Sequence, residues 1–168
     1  MKFLATSALL ALASATVNAD TKAKATFTGA QSGIAGCVEF SPIIKCGSSG
    51  SAITVNLQGF QPSDQGPFKY HIHALPVPAD GNCTATSGHY NPTNIVANTT
   101  CVPSNSLATC EIGDLSGKHG SLNPASSAVP IVGNYVDSDV SVSSVTGLSV
   151  VIHAANGTRV ACANIVAA

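Results

Sequence analysis

Four histidines in three short segments are the residues of this sequence most able to do chemistry. His71 and His73 form a His-x-His pair, His89 follows Gly88 in a polar segment, and His153 ends an apolar run. Residues two apart in a β-strand point to the same face, so one strand would present the first two imidazoles to a single point in space. Two further rings would complete an all-nitrogen site, and such a site suits copper or zinc.

Other metal centres fit the sequence less well. A blue-copper site needs a thiolate and commonly an axial methionine. The only methionine is Met1, and the cysteines are expected to be oxidised. His119 lies in the segment Gly-Lys-His-Gly, which favours an exposed turn, and we do not expect it to bind metal. Each remaining histidine could be an ordinary strand or loop residue by itself, so the prediction depends on their convergence.

Short strands must position these histidines. Val, Ile and Thr are dense in most of nine stretches, and Gly, Pro, Asn, Asp and Ser fill the gaps between them. No twelve-residue window keeps a helical period, so we predict an all-β sandwich or Greek-key barrel. The longest segment with little strand character is Leu75–Leu107. The predicted strands are Lys22–Gly29, Gly36–Ser41, Ser51–Leu57, Lys69–Ala74, Ala108–Ile112, Val129–Val132, Val140–Val145, Leu148–Ala154 and Thr158–Val166.

The first residues predict secretion. Lys2 supplies a positive start, an apolar run follows to Val17, and Val17-Asn18-Ala19 is typical of a cleavage site. We therefore expect residues 1–19 to be a signal peptide and residues 20–168 to form one domain. The apolar run is too short for a membrane span. Three glycosylation sequons, at Asn82, Asn98 and Asn156, suit an extracellular glycoprotein.

Charge excludes two classes of partner. Without Lys2, six basic residues remain against eight acidic ones, a net charge of −2. The sequence has no basic run for nucleic acid and no basic amphipathic helix for a membrane surface.

The six cysteines of a secreted chain predict disulfides. Six cysteines allow 15 pairings, and the sequence alone does not choose among them. Cys37 with Cys46, and Cys101 with Cys110, each enclose eight residues, which favours two local bridges. That arrangement leaves Cys83 to pair with Cys162.

Five segments together resemble the copper/zinc superoxide dismutases, and the resemblance covers nearly the whole mature chain. It implies an eight-stranded Greek-key barrel of immunoglobulin-like form, with copper held by His71, His73, His89 and His153. It also implies that Arg159 binds the incoming anion, and it supports the bridge between Cys83 and Cys162. The segments are Phe68–Ala74, Asn82–Pro92, Ile112–Leu115, Val151–His153 and Thr158–Cys162.

Two departures point to one branch of that family. No histidine lies between His89 and Asp114, and Glu111 stands where the last zinc histidine is expected. Only five residues separate His153 from Arg159, where the family places a long charged loop. The sequence therefore resembles the copper-only superoxide dismutases secreted by fungi and oomycetes. This resemblance implies one copper per chain, an absent zinc and an extracellular location, in association with a cell wall or matrix. We also expect a monomer.

The resemblance implies that the chain converts superoxide to dioxygen and hydrogen peroxide. Glu111 is expected to orient His89 in place of zinc, and Asp114 to support the same network. Two alternatives stay open. One is a secreted protein that stores or delivers copper without turnover, which the cationic Arg159 disfavours. The other is a structural domain on the same scaffold, which the four retained histidines disfavour.

Overall fold

One antiparallel sheet of seven strands carries the fold in a computed structural model that describes residues 21–30, 32–45, 48–61, 66–97 and 99–168. The spatial order is β4-β6-β7-β1-β2-β3-β5. The predicted signal peptide and Asn98 lie outside the described residues. The strands are β1 Ala23–Thr28, β2 Ala35–Lys45, β3 Ser48–Gln58, β4 Lys69–His73, β5 Ile131–Asp137, β6 Ser149–His153 and β7 Arg159–Ala167.

Alternating side chains build the core on one face of the sheet. Ile53, Val55 and Leu57 of β3 are buried, while the residues between them are more exposed. This period of two is the pattern that a strand requires when only one of its faces meets the core. The short strands β4 and β6 are buried along almost their whole length, which places the histidine segments in the most enclosed part of the sheet.

The sheet curls until its two edge strands meet. The Tyr70 hydroxyl of β4 and the Tyr135 hydroxyl of β5 lie 2.8 Å apart, although these strands are at opposite ends of the order. Helix α2, Leu115–His119, covers the same edge, since the Tyr70 N–H donates to Oγ of Ser116 at 2.7 Å. An isolated bridge between Phe68 and Leu122 continues this contact. The predicted all-β class is confirmed.

Two of the nine expected strands are wrong, so the described residues form seven strands, one fewer than the eight that the family resemblance implied. The stretch from Val140 contains α3, Val142–Val145, because the Ser141 side chain accepts from the Ser144 N–H and both terminal valines of the turn are buried. The stretch from Ala108 overlaps α1, Ser106–Thr109. The expected Val129–Val132 strand begins at Ile131 instead. No helix in the described ranges is long and apolar enough to cross a membrane.

The long connection between β4 and β5 is held by disulfides rather than by strands. It contains 3₁₀ turns at Cys83–Thr86 and Pro103–Asn105. Cys83 bonds to Cys162 of β7, and Cys101 bonds to Cys110 within the connection. The structure thus contains two of the three expected bridges.

The expected bridge between Cys37 and Cys46 is wrong, because the Cys37 thiol is free. Cys37 lies in β2, which stays extended as far as Lys45. Those eight steps of strand span roughly 26 Å, whereas bridged cysteines need α-carbons within about 7 Å. Cys46 itself lies outside the described residues.

Candidate metal centre

The four predicted histidines meet at one point. Candidate ligand atoms of His71, His73, His89 and His153 all lie within 4.8 Å of one another. Nε2 of His73 is 3.1 Å from Nε2 of His153, and the ring centroids of His71 and His89 are 4.0 Å apart. Within the described ranges, this is the one cluster of three or more His, Cys, Asp or Glu side chains that could hold a metal ion.

Strand pairing delivers three of these rings. His71 and His73 point away from the core-facing Tyr70 and Ile72, as the alternation predicts, and β4 pairs with β6, which ends at His153. The fourth ring, His89, lies on the long connection between β4 and β5. His89 forms an isolated bridge with His73, and the Tyr90 N–H donates to the Ile72 carbonyl at 2.8 Å.

A glycine allows a third segment to approach the same place. The Ile72 N–H donates to the Gly113 carbonyl at 2.9 Å, and the Gly113 N–H donates to the Tyr90 carbonyl at 2.8 Å. A Cβ at Gly113 would stand 2.3 Å from the Ile72 carbonyl oxygen, well inside the contact limit. A side chain here would push apart the histidine strand and the segment that carries Glu111 and Asp114.

Three rings are oriented through Nδ1. His73 Nδ1 lies 3.0 Å from the Ser87 carbonyl, and His153 Nδ1 lies 3.2 Å from the Gly157 carbonyl. Because a carbonyl only accepts, each Nδ1 must carry the proton, and Nε2 keeps its lone pair. Nδ1 of His89 is in direct contact with Oε2 of the Glu111 carboxylate, so its Nε2 is likewise the nitrogen left for a metal.

The fourth ring is oriented the other way. Nε2 of His71 lies 3.5 Å from Oδ1 of Asp114. Its Nδ1 is buried and has no hydrogen-bond partner. A buried nitrogen without a partner is costly unless something binds it. The missing partner is what a metal ion would supply, so the donor set fits a nitrogen-ligated metal.

Burial keeps the rings of His71, His73 and His153 neutral. Burial lowers the pKa of His71 to about 2, and the nearby His89 ring adds to the shift. Burial also lowers the pKa of His73 to about 3, although a hydrogen bond to Ser87 opposes it. The pKa of His153 is lowered as well, first by burial. Neutral imidazoles keep the lone pairs that metal ligation requires, so the site is ready to bind an ion near neutral pH.

Both predicted carboxylates lie beside this cluster, and protein groups engage them. Glu111 contacts His89 through one oxygen, and the Asn91 side-chain amide donates to the other at 3.3 Å. Asp114 is the N-cap of α2 and accepts from the Gly117 N–H at 2.7 Å. Each carboxylate therefore fixes a neighbouring ring or a loop.

Arg159 lies next to His153, its register partner on β7. Its guanidinium donates to the carbonyls of Cys83 and Ser87 at 2.8 and 2.6 Å, and to Oγ1 of Thr86 at 3.1 Å. The disulfide between Cys83 and Cys162 ties the same turn to β7. The cation is thereby held in a fixed position at the edge of the histidine cluster.

The sequence analysis missed a buried ion pair on the far side of α2. Nζ of Lys118 lies 2.7 Å from Asp137, and both side chains are almost fully buried. The same Nζ donates to the Ile112 carbonyl at 2.9 Å. His119 pairs with Asp137 at 2.9 Å instead of joining the metal cluster, and it stacks on Tyr135. The signal available in the sequence was Lys118 itself, a cation in the otherwise uncharged segment Leu115–His119.

Comparison with known proteins agrees with this geometry. Residues 34–165, more than half of the sequence, match the copper/zinc superoxide dismutase (SODC) family. The chain belongs to the copper/zinc superoxide dismutase family. The expected family assignment is confirmed.

Several relatives are fungal cell-surface proteins. The chain is 43% identical over 136 residues to cell surface Cu-only superoxide dismutase 5 of Candida albicans, covering 80% of this chain and 56% of that protein. It is 38% identical over 175 residues to cell surface superoxide dismutase 4 of the same organism, whose name includes both copper and zinc, covering 98% and 71%. The chain thus spans a little over half the length of the first relative.

A solved structure has the same fold. The Cu(II) form of superoxide dismutase 5 from Candida albicans aligns with a TM-score of 0.75 and 39% identity, covering 89% of this chain and 93% of that one. This likeness confirms the expected superoxide dismutase barrel.

Proposed function

We propose that this chain is a secreted copper-dependent superoxide dismutase that works without zinc and converts superoxide to dioxygen and hydrogen peroxide. One observation carries the proposal: four histidines converge, and the Glu111 carboxylate contacts Nδ1 of His89, the ring nitrogen that faces away from the cluster. The names of the copper-only relative and the Cu(II) structure support the same metal. We expect one copper per chain, bound by His71, His73, His89 and His153.

Copper, when bound, supplies a one-electron couple between Cu(II) and Cu(I), and this couple suits the alternate oxidation and reduction of superoxide. The surrounding residues keep the ligands in the required tautomers. Glu111 holds the proton of His89 on Nδ1, and the Ser87 carbonyl does the same for His73. Fixed tautomers keep the lone pairs directed at the metal through many turnovers.

Arg159 is proposed to bind the superoxide anion. A guanidinium stays charged at all relevant pH values and cannot act as an acid there. The hydrogen bonds to Cys83, Thr86 and Ser87 fix its position next to His153. A positioned cation lowers the energy of an approaching anion without needing to reorganise.

The carboxylates support the absence of zinc. A structural zinc site commonly uses four Cys or His ligands. Near His89 the chain offers Glu111 and Asp114, and one is engaged by Asn91 while the other caps α2. Asp114 is proposed to secure α2 and the His71 ring, not to bind a second ion.

Location and assembly are further parts of the proposal. The predicted signal peptide, the disulfides and the cell-surface names of the relatives support an extracellular protein, associated with a cell wall or matrix. We propose a monomer of residues 20–168, with superoxide as its small-molecule substrate.

The alternative is a copper-storage protein, and one experiment separates the two functions. Superoxide consumption is measured by pulse radiolysis on copper-loaded and metal-free protein, after copper and zinc per chain have been determined by elemental analysis. A dismutase gives fast, copper-dependent decay with about one copper and no zinc. Stoichiometric copper without decay would show storage, and stoichiometric zinc would refute the copper-only assignment.

A further inference from the structure

Two cations lie on either side of the histidine cluster. Register pairs Lys69 of β4 with His153 of β6, and directly paired residues of antiparallel strands point to the same side, roughly 5 Å apart. The pairing of β6 with β7 is irregular at His153, but the Arg159 guanidinium contacts Oγ1 of Thr86, which lies 3.3 Å from Nδ1 of His73.

Lys69 has no internal partner that would explain its charge. It is exposed, and none of the ion pairs among the described residues involves it. By contrast, Lys24 pairs with Glu39, and Lys118 pairs with Asp137. Lys69 also shares its face of β4 with His71 and His73, since all three are two residues apart.

Lys69 lies close to the histidine cluster in the sheet. It is the register partner of His153 and stands two residues before His71 on β4. A positive charge at this place attracts an anion that approaches the proposed metal position.

A cavity opens on the Lys69 side of the cluster. Its volume is about 450 Å³, and its walls include His71, His89, Glu111 and Asp114. Among the described residues that line it, Lys69 is the one with a permanent positive charge. The two carboxylates would repel a superoxide ion that enters from this side. A lysine at the rim offsets part of that repulsion.

We propose that Lys69 is a second anion-steering residue, which draws superoxide to the copper from the side opposite Arg159. The inference rests on the proposed function. The five residues between His153 and Arg159 include no charged side chain. In this chain the guiding charge lies on a strand, two residues before the first ligand.

The first test compares Lys69→Gln with Lys22→Gln in copper-loaded protein. Lys22 is also an exposed lysine, but it precedes β1 and does not line the cavity. A unit charge roughly 10 Å from the metal changes the rate by about two- to threefold in water. We expect Lys69→Gln to lower kcat/KM by this factor at low ionic strength and to converge with the wild type at high salt. Lys22→Gln should keep the wild-type salt slope.

Charge and shape are separated by two further variants. Lys69→Arg should retain the wild-type rate and salt slope, while Lys69→Glu should lower the low-salt rate by about four- to ninefold, because the charge changes by two units. Equal copper content in all variants excludes altered loading. Identical salt slopes for wild type, Lys69→Gln and Lys69→Glu would overturn the proposal.

A binding measurement tests the role of Lys69 independently of superoxide turnover. The dissociation constant of azide is measured by titrating the visible spectrum of the Cu(II) protein. At low salt we expect weaker azide binding to Lys69→Gln by the same two- to threefold factor, with no change for Lys22→Gln. If azide affinity shifts while no form consumes superoxide, Lys69 steers anions but the dismutase proposal fails. Unchanged azide affinity in both variants would overturn the role of Lys69.

Discussion

Nδ1 of His89 and Oε2 of Glu111 are in direct hydrogen-bond contact, which leaves Nε2 of that ring available to the proposed copper ion. Glu111 therefore determines both the orientation and the tautomer of one proposed ligand without being a ligand itself. Partners of this kind commonly contribute 10- to 100-fold to metal affinity or activity.

Changing Glu111 to Gln or Ala should slow turnover more than it lowers copper content. The other three ligands retain their orienting contacts, so we expect near-stoichiometric copper and a rate about tenfold lower. Pulse radiolysis across pH 5 to 9 and elemental analysis measure the two effects. Glu39→Gln is the matched control, because Glu39 contacts Lys24 on β2 and not the cluster. Unaltered kinetics at every pH would refute the orienting role.

Replacing His153 by Ala should remove copper and activity together. The ring supplies one of the four candidate ligands, and its Nε2 lies beside that of His73. We expect at least a tenfold loss of copper affinity, measured by competition with a chelator. His119→Ala serves as the control, since that ring contacts Asp137 outside the cluster and its loss should leave copper content intact. Full metallation of His153→Ala would exclude this residue from the site.

Lys118→Met should destabilise the fold strongly. Removal of one partner leaves the Asp137 carboxylate buried, and breaking a buried pair in this way costs about 3–5 kcal/mol. The double change Lys118→Met with Asp137→Asn removes both charges and should recover part of that loss. Urea unfolding of the metal-free proteins measures the free energy. A double variant no more stable than the single one would show that the buried charge is not the cause.

The Asp137 carboxyl group should also make the free energy of unfolding depend on pH in the acidic range. Burial would raise its pKa, but the hydrogen bond from His119 and the charge of Lys118 outweigh burial and hold the pKa below its ordinary value. The resulting stabilisation is complete above about pH 4, the unfolded value, and is lost as pH falls through the lower folded value. In Asp137→Asn this part of the loss of stability at low pH should disappear. If the free energy of unfolding falls equally for both proteins between pH 2 and 5, the prediction is wrong.

The two disulfides should differ in their contribution to stability and to the site. The Cys83–Cys162 bridge spans 79 residues and the Cys101–Cys110 bridge spans 9. The chain-entropy account gives about 4.5 kcal/mol for the first and about 2.7 kcal/mol for the second. Two variants, each with both cysteines of one bridge replaced by serine, are compared by thermal unfolding to test which bridge stabilises more. Only loss of the first bridge should also weaken copper binding, because it loosens the turn whose Ser87 carbonyl orients the His73 ring.

Much of the site was predictable because its signals are local. The two-residue spacing of His71 and His73 is fixed by strand geometry, and Glu111 stands in a short motif before Asp114. The failures arose where tertiary contacts outweigh composition. The valine-rich residues near Val142 form a helical turn because the Ser141 side chain caps its N-terminus and because Val142 and Val145 are buried.

Long-range partners explain the remaining misses. Lys118 is buried because its ammonium group reaches a carboxylate 19 positions later in the chain, and sequence spacing gives no sign of that pairing. The eight-residue interval after Cys37 suggested a local loop, but the chain stays extended there, so its ends are far apart.

The contact between the Tyr70 and Tyr135 hydroxyls joins the first and last strands of the order, and Tyr70 is the neighbour of a candidate ligand. Closure of the sheet therefore secures the strand that carries two of the four rings. A chain whose edges are still apart lacks this contact beside His71. Metal acquisition should consequently follow folding, so that only finished molecules become redox-active.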